Sequence, residues 1–99
     1  MDNLKAQQMA SQILAGEFES FRHNPQDYCR AMSWSDNSEG TKKAVAKKYT
    51  LNYTSTDVDR LAAIVLAEAT KCNDNTMAIL ESNVVADFVV NCVAAHIIG

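Results

Sequence analysis

The sequence predicts an all-α protein, a compact bundle of about four to five short helices around a very apolar C-terminal helix. Apolar residues recur at steps of three and four positions, which is the spacing of helical stripes. Turn-forming clusters at 23–25 (HNP), 35–40 (SDNSEG) and 73–75 (NDN) divide the chain into pieces of helix length. A strand near 48–53 leaves an α+β fold open as the alternative.

Length and composition predict one domain, residues 1–99, with an ordinary globular balance of 47% apolar and 21% charged residues. The three cysteines, Cys29, Cys72 and Cys92, are an odd set without a close pair, so we expect free thiols in a reducing compartment. The first residues lack the pattern of a secretion signal, and polar residues interrupt the apolar C-terminal segment. We therefore expect a cytoplasmic protein without a membrane span.

The first two helices are the easiest to place. The first is predicted from about Asn3 to Phe21, with an apolar stripe formed by Ala10, Ile13, Leu14, Phe18 and Phe21. The second begins after Asn24, because Asn is a good N-cap, Pro25 suits the first helical position and Asp27 suits the first turn. It is predicted to end near Trp34 or Ser35.

The middle of the chain supports two interpretations. Apolar and polar residues alternate from Lys48 to Tyr53, a pattern typical of a half-buried strand. No second segment of similar quality offers a partner, however, and an unpaired strand is unstable. A short helix from about Thr41 to Tyr49 followed by an extended connection is the preferred prediction.

The fourth helix is predicted to begin with a capping box of Thr56 and Asp59. Glu68 lies at the edge of its apolar face, and we expect its stem to pack while its carboxylate reaches water. That face consists of Val58, Leu61, Ala62, Val65, Ala69 and Cys72.

The fifth helix is predicted to run from about Asn75 to Ile97. Asn83, Asp87 and Asn91 form one polar stripe, which leaves an apolar arc of roughly 240° at 100° per residue. Four modest helices are not expected to cover this arc completely, so the sequence predicts a homo-oligomer. The predicted oligomer interface is Val85, Val89, Cys92, Val93, His96 and Ile97.

The sequence contains none of the usual catalytic motifs, which predicts that the protein is not an enzyme. His23 and His96 are not expected to have a Cys, Asp or Glu at metal-ligand spacing, so the sequence predicts no metal or other cofactor. His96 is interpreted as a buried or interfacial histidine that bonds to a backbone or hydroxyl group.

The leading functional hypothesis is a small interaction protein that binds or inhibits a larger protein. Tyr28, Met32 and Trp34 on the second helix are the candidate partner-binding residues, since aromatic side chains are frequent at binding hot spots. Short acidic helical chains without catalytic motifs are typical of small accessory or inhibitor proteins, including those of bacteriophages.

The alternative hypothesis is an oligomer that binds a small anion or a nucleotide. Four of the nine basic residues fall within 42–48, so twelve acidic residues face five basic ones elsewhere, a balance of −7. The net charge of −3 makes nucleic acid an unlikely partner. The candidate ligand-binding residues are Lys42, Lys43, Lys47, Lys48, Tyr49 and Tyr53.

Overall fold

Helices account for most of the computed structural model, which describes residues 1–31 and 39–98. Within these residues there is no strand, and the all-α prediction is confirmed. None of the helices in the described ranges has both the length and the apolar character that a membrane crossing requires. The helices are α1 (Asn3–His23), α2 (Pro25–Ala31), α3 (Glu39–Lys47), α4 (Ser55–Lys71), α5 (Thr76–Leu80) and α6 (Asn83–Ile98).

The ends of α1 and α2 are fixed by side chains that satisfy free backbone groups. Asp2 caps α1 by accepting a hydrogen bond from the backbone N–H of Lys5 at 2.8 Å. Asn24 caps α2 as predicted, because its Oδ1 accepts from the backbone N–H of Asp27 at 3.1 Å. The predicted end of this helix near Trp34 or Ser35 lies outside the described residues. The buried face of α1 consists of Ala6, Met9, Ala10, Leu14, Phe18 and Phe21.

The connection between α3 and α4 explains the strand-like alternation. Leu51 is buried and Tyr53 is half-buried. Side chains of α1, rather than a neighbouring strand, form hydrogen bonds with this segment. Arg22 donates to the carbonyl oxygen of Leu51 at 3.0 Å, and the hydroxyls of Ser11 and Tyr53 are 3.4 Å apart. The strand alternative at 48–53 is therefore wrong, and α3 ends two residues before the predicted Tyr49.

Helix α4 begins at Ser55, with a capping box two residues earlier than predicted. The Thr54 hydroxyl accepts from the backbone N–H of Asp57 at 3.2 Å, and Asp57 Oδ2 accepts from the backbone N–H of Thr54 at 2.8 Å. The prediction of Thr56 and Asp59 is wrong by two positions. The observed and the predicted pair both have the three-residue spacing of a capping box. Of the two aspartates, Asp57 also contacts a residue of α6, and the sequence pattern does not indicate this contact.

The predicted long C-terminal helix is two helices, α5 and α6, separated by Glu81 and Ser82. The Ser82 carbonyl accepts from Ala86 N–H at 3.0 Å, and its hydroxyl lies 3.5 Å from Val85 N, so Ser82 begins a new helix. The turn predicted before α5 is confirmed, since Asn73 and Asp74 have φ of 51° and 60°, a conformation that these residues tolerate well.

Helices α1, α3 and α4 of the same chain pack on the apolar arc of α6 and bury its middle, whereas Val84 at one edge of the arc is 50% exposed. The polar stripe of Asn83, Asp87 and Asn91 is exposed, as predicted. The chain's own helices therefore bury part of the arc, and the oligomer interface stays a prediction. The arc residues that are 8% exposed or less are Val85, Val89, Cys92, Val93 and Ile97.

Gly16 lies within α1, and the structure has room for a side chain there, since a Cβ atom would meet nothing within 4 Å. We expect Gly16→Ala to raise the free energy of unfolding by about 0.5–1 kcal/mol, since alanine reduces the backbone entropy of the unfolded chain. Urea denaturation monitored by circular dichroism measures this change. An unchanged or lower denaturation midpoint would show that this part of α1 is packed differently.

Candidate functional site

Three side chains with ligand-type atoms meet between α4 and α6. Cys92 and His96 lie one turn apart on α6, and Asp57 lies in the first turn of α4. His96 Nε2 is 2.6 Å from Asp57 Oδ2. One nitrogen, sulfur or oxygen atom from each residue lies within 4.8 Å of the others. We call this arrangement the Asp57–Cys92–His96 cluster.

Asp57 is the residue that ties the cluster together. Its side chain is only 13% exposed, and that of His96 is 28% exposed. Burial by itself raises the pKa of the Asp57 carboxyl, but the hydrogen bond from the Thr54 backbone and the contact with His96 outweigh burial and lower it. The carboxylate therefore caps α4 and holds the C-terminal part of α6 at the same time.

The Cys92 thiol has the opposite electrostatic environment. Burial, followed by the neighbouring Asp57 carboxylate, raises its pKa to about 12, although Arg60 acts in the other direction. A thiol with this pKa is almost wholly protonated at neutral pH, whereas a nucleophilic cysteine needs a thiolate. The arrangement is therefore poorly suited to covalent catalysis by Cys92.

A pocket of about 330 Å³ opens next to the cluster. All three cluster residues are among those that line it. Arg60 contributes the positive charge of the lining. The other lining residues are Phe88, Asn91 and Ala95.

Sequence reasoning missed this cluster, and the interpretation that His96 has no ligand-type neighbour is wrong. Cys92 and His96 are four positions apart, which places both side chains on one face of a helix. This spacing was visible once a helix had been predicted there. The partner of His96 is a carboxylate rather than the backbone or hydroxyl group expected from the sequence. No sequence pattern near Asp57 indicates that it joins Cys92 and His96, because it lies on a different helix.

A second concave feature lies between α1 and α5. It has a volume of about 430 Å³, and we call it the α1–α5 groove. Met9, Ile13 and Leu80 supply its apolar surface, and Leu80 is 45% exposed. Gly16 leaves open space in the groove, and Glu17 contributes a negative charge. The remaining lining residues are polar: Gln12, Ser20 and Thr76.

The structure describes one of the three predicted partner-binding residues. Tyr28 is half-buried, and its ring contacts Phe21 edge to face with 5.7 Å between the centroids. Burial and the nearby Glu17 carboxylate raise the pKa of its hydroxyl. Tyr28 therefore contributes to the core around α1, while Met32 and Trp34 lie outside the described residues.

Two of the six residues of the predicted anion site, Lys47 and Tyr53, have partners within the chain. Lys47 donates to the carbonyl oxygens of His96 and Ile97 at 3.3 and 2.9 Å, where a cation compensates the free carbonyls at the end of α6. The Tyr53 ring packs edge to face on Phe18. Tyr49 is 83% exposed, with the Lys48 ammonium 4.7 Å from its ring centroid. Lys42 and Lys43 are exposed on α3.

Glu68 is more buried than the sequence predicted, with 8% of the residue exposed. Its carboxylate lies 3.6 Å from the ammonium of Lys71, one turn later on α4. This ion pair with Lys71 compensates the negative charge of the Glu68 carboxylate. Glu68 is not among the residues that line the pocket beside the cluster.

Comparison with known proteins gives no relative on which a function could be based. No protein-family model, curated protein or solved structure matches the chain.

The contribution of Asp57 to the free energy of unfolding can be measured with a matched pair of variants. We expect Asp57→Ala to lower the free energy of unfolding by about 1–3 kcal/mol, because α4 loses its capping box and the partly buried His96 loses its partner. Asp59→Ala removes an exposed carboxylate two residues later and should change stability by less than about 0.5 kcal/mol. Urea denaturation compares the two variants, and equal effects would contradict the role assigned to Asp57.

Proposed function

We propose that this chain is a non-enzymatic interaction protein that binds an apolar, positively charged helical segment of a larger protein in the α1–α5 groove. The observation that carries the proposal is the groove itself, with a volume of about 430 Å³ and apolar side chains on both helices. Docking of an amphipathic helix into such a groove is a common mode of peptide recognition.

The dimensions of the groove suit a short helix. Its lining on α1 extends from Met9 to Ser20, and eleven steps of about 1.5 Å correspond to roughly 16 Å, or three helical turns. A helix of that length presents its anchors at i, i+3, i+4 and i+7 to one face. Gly16 leaves room near the middle, where a side chain of the partner can enter.

The charge of the groove and of the chain favours a basic partner. Glu17 is the charged residue of the lining, and Glu81 is exposed directly after Leu80. Outside 42–48, twelve acidic residues face five basic ones. Opposite charge on the partner would speed its association and orient it along the groove.

The proposal keeps the interaction function inferred from the sequence but uses a different surface. The edge-to-face packing of Tyr28 on Phe21 makes it a poor anchor for an external partner. An anion-binding function receives less support, because Lys47 and Tyr53 already have partners within the chain.

The experiment fills the groove without disturbing the core. Gly16→Trp places a large side chain in the groove, and Ala67→Trp places the same side chain on the exposed face of α4. Both variants and the unaltered chain are immobilised and exposed to a lysate of the source cells. Captured proteins are identified and quantified by mass spectrometry, after circular dichroism has shown native helicity for each variant.

The expected result is a basic protein that is recovered with the unaltered chain and with Ala67→Trp. Its recovery with Gly16→Trp should fall at least about tenfold, which corresponds to a loss of about 1.4 kcal/mol of binding free energy. Equal recovery with both tryptophan variants would move the interaction away from the groove. Repeated failure to recover a specific protein would contradict the interaction function.

A further inference from the structure

The Asp57–Cys92–His96 cluster has the composition of a transition-metal site. Neutral imidazole, thiolate and carboxylate are the protein ligands that zinc uses most often. They come from two helices that pack against each other, and two of them share one face of α6. A stable fold therefore already brings the three groups together.

The spacing of the ligand atoms is close to that of a tetrahedral site. Zinc bonds of about 2.0–2.3 Å place neighbouring ligand atoms roughly 3.3–3.7 Å apart in tetrahedral geometry. In the cluster the three ligand atoms lie within 4.8 Å of one another, and the imidazole and carboxylate are 2.6 Å apart. A tetrahedral ion would therefore require side-chain rotations that separate His96 from Asp57.

We propose that Asp57, Cys92 and His96 bind one zinc ion, whose fourth coordination position opens into the pocket of about 330 Å³. On binding, Cys92 loses its thiol proton to solvent and coordinates through the thiolate. His96 coordinates through Nε2 as the neutral tautomer that carries its proton on Nδ1. Coordination by the ion replaces the hydrogen bond between His96 Nε2 and Asp57 Oδ2, and the proton of that bond passes to Nδ1 or to solvent.

The charge balance of this site sets the class of its fourth ligand. One thiolate and one carboxylate neutralise the two positive charges of the ion, so the three-ligand complex carries no net charge. Arg60 lines the same pocket and adds a positive charge beside the fourth position. The site is therefore suited to a water molecule, a hydroxide ion or a small carboxylate there.

Groups around the cluster would hold the ligands in place. The Thr54 backbone N–H donates to Asp57 Oδ2, which leaves the other carboxylate oxygen, Oδ1, to coordinate the ion. The Phe18 ring packs edge to face against the His96 imidazole, with 5.8 Å between the centroids. Such neighbours orient metal ligands, and their loss commonly reduces metal affinity about 10–100-fold.

Cobalt is the probe for this site, because Co²⁺ reports on sulfur ligation and coordination geometry through its absorption spectrum. The full-length chain is freed of metal with a chelator, reduced, and titrated with Co²⁺ and then with Zn²⁺. We expect one Co²⁺ per chain, with a sulfur-to-cobalt charge-transfer band and intense visible bands of a tetrahedral ion. Zn²⁺ should abolish both.

Matched cysteine variants assign the ligand. Cys92→Ser should lose the charge-transfer band and at least about 100-fold of the zinc affinity, whereas Cys72→Ser should keep both. His96→Gln tests a second ligand, and circular dichroism confirms that each variant is folded. Absence of the band in the unaltered chain, or its persistence in folded Cys92→Ser, would overturn the proposal. These outcomes are independent of the α1–α5 groove, which uses other residues.

Discussion

Replacing Phe18 with alanine is expected to lower the free energy of unfolding by about 3–5 kcal/mol, because the ring is fully buried and its removal leaves a cavity. The Phe18 ring also contacts Tyr53 and His96 edge to face, at centroid distances of 5.7 and 5.8 Å. These contacts join α1 to the extended connection and to the Asp57–Cys92–His96 cluster. Urea denaturation monitored by circular dichroism measures the loss.

Leu4→Ala is the control for Phe18→Ala on the same helix. Leu4 is 65% exposed, so its truncation should change the free energy of unfolding by less than about 0.5 kcal/mol. If both substitutions had effects of similar size, the buried face of α1 would have been assigned incorrectly. If a folded Phe18→Ala chain lost cobalt binding, the result would show that the Phe18 ring also orients His96.

Val89→Asp is expected to unfold the chain. Val89 is 4% exposed within the arc of α6, and an unpaired carboxylate there would lose its hydration without gaining a partner. A cost of several kcal/mol is a large share of the total of about 5–15 kcal/mol that stabilises a typical domain. Far-ultraviolet circular dichroism should show that most of the helical signal is lost.

Val84→Asp is the matched control for Val89→Asp. It makes the same substitution on the same helix, but Val84 is 50% exposed and lies in the first turn of α6. A negative charge is tolerated or slightly favourable there, because it interacts with the positive end of the helix dipole. We expect this variant to remain folded. A Val89→Asp chain that stayed folded with a reduced molar mass would instead place the arc at an interface between copies.

The fold was predictable where local sequence decides the structure. Asn24, Pro25 and Asp27 locate the start of α2 because a cap depends only on neighbouring residues. The period of apolar residues likewise located α1 and α4, apart from their ends. The break at Glu81 and Ser82 was missed, because the apolar pattern continues across it and the cap provided by Ser82 is weak.

The candidate site was harder to predict because it depends on tertiary contacts. Cys92 and His96 could have been paired from their spacing on a helix, but nothing near Asp57 indicates that it contacts His96. Asp57 and Asp59 each follow a threonine by three positions, and the structure distinguishes them because Asp57 forms the capping box with Thr54 and also contacts His96 on α6. The α1–α5 groove could not be predicted either, because it depends on where α5 lies. The sequence pattern predicted a single helix in place of α5 and α6.

The extent to which one chain covers its own last helix also could not be judged from the sequence. Four modest helices were expected to leave part of the arc of α6 open. In the structure α1 and α3 both pack on α6 alongside α4, so Val93 and Ile97 are completely buried. The pattern gives the width of an apolar arc but not the number of helices that pack on it.

Light scattering on the purified chain tests most directly the central claim, that the helices of one copy bury the middle of the α6 arc without a second copy. The account predicts a molar mass near 10.9 kDa that stays constant as the protein concentration is raised. A stable dimer or higher oligomer at every concentration that dissociates only when the chain unfolds would contradict it. That result would show that burial of α6 depends on a second copy.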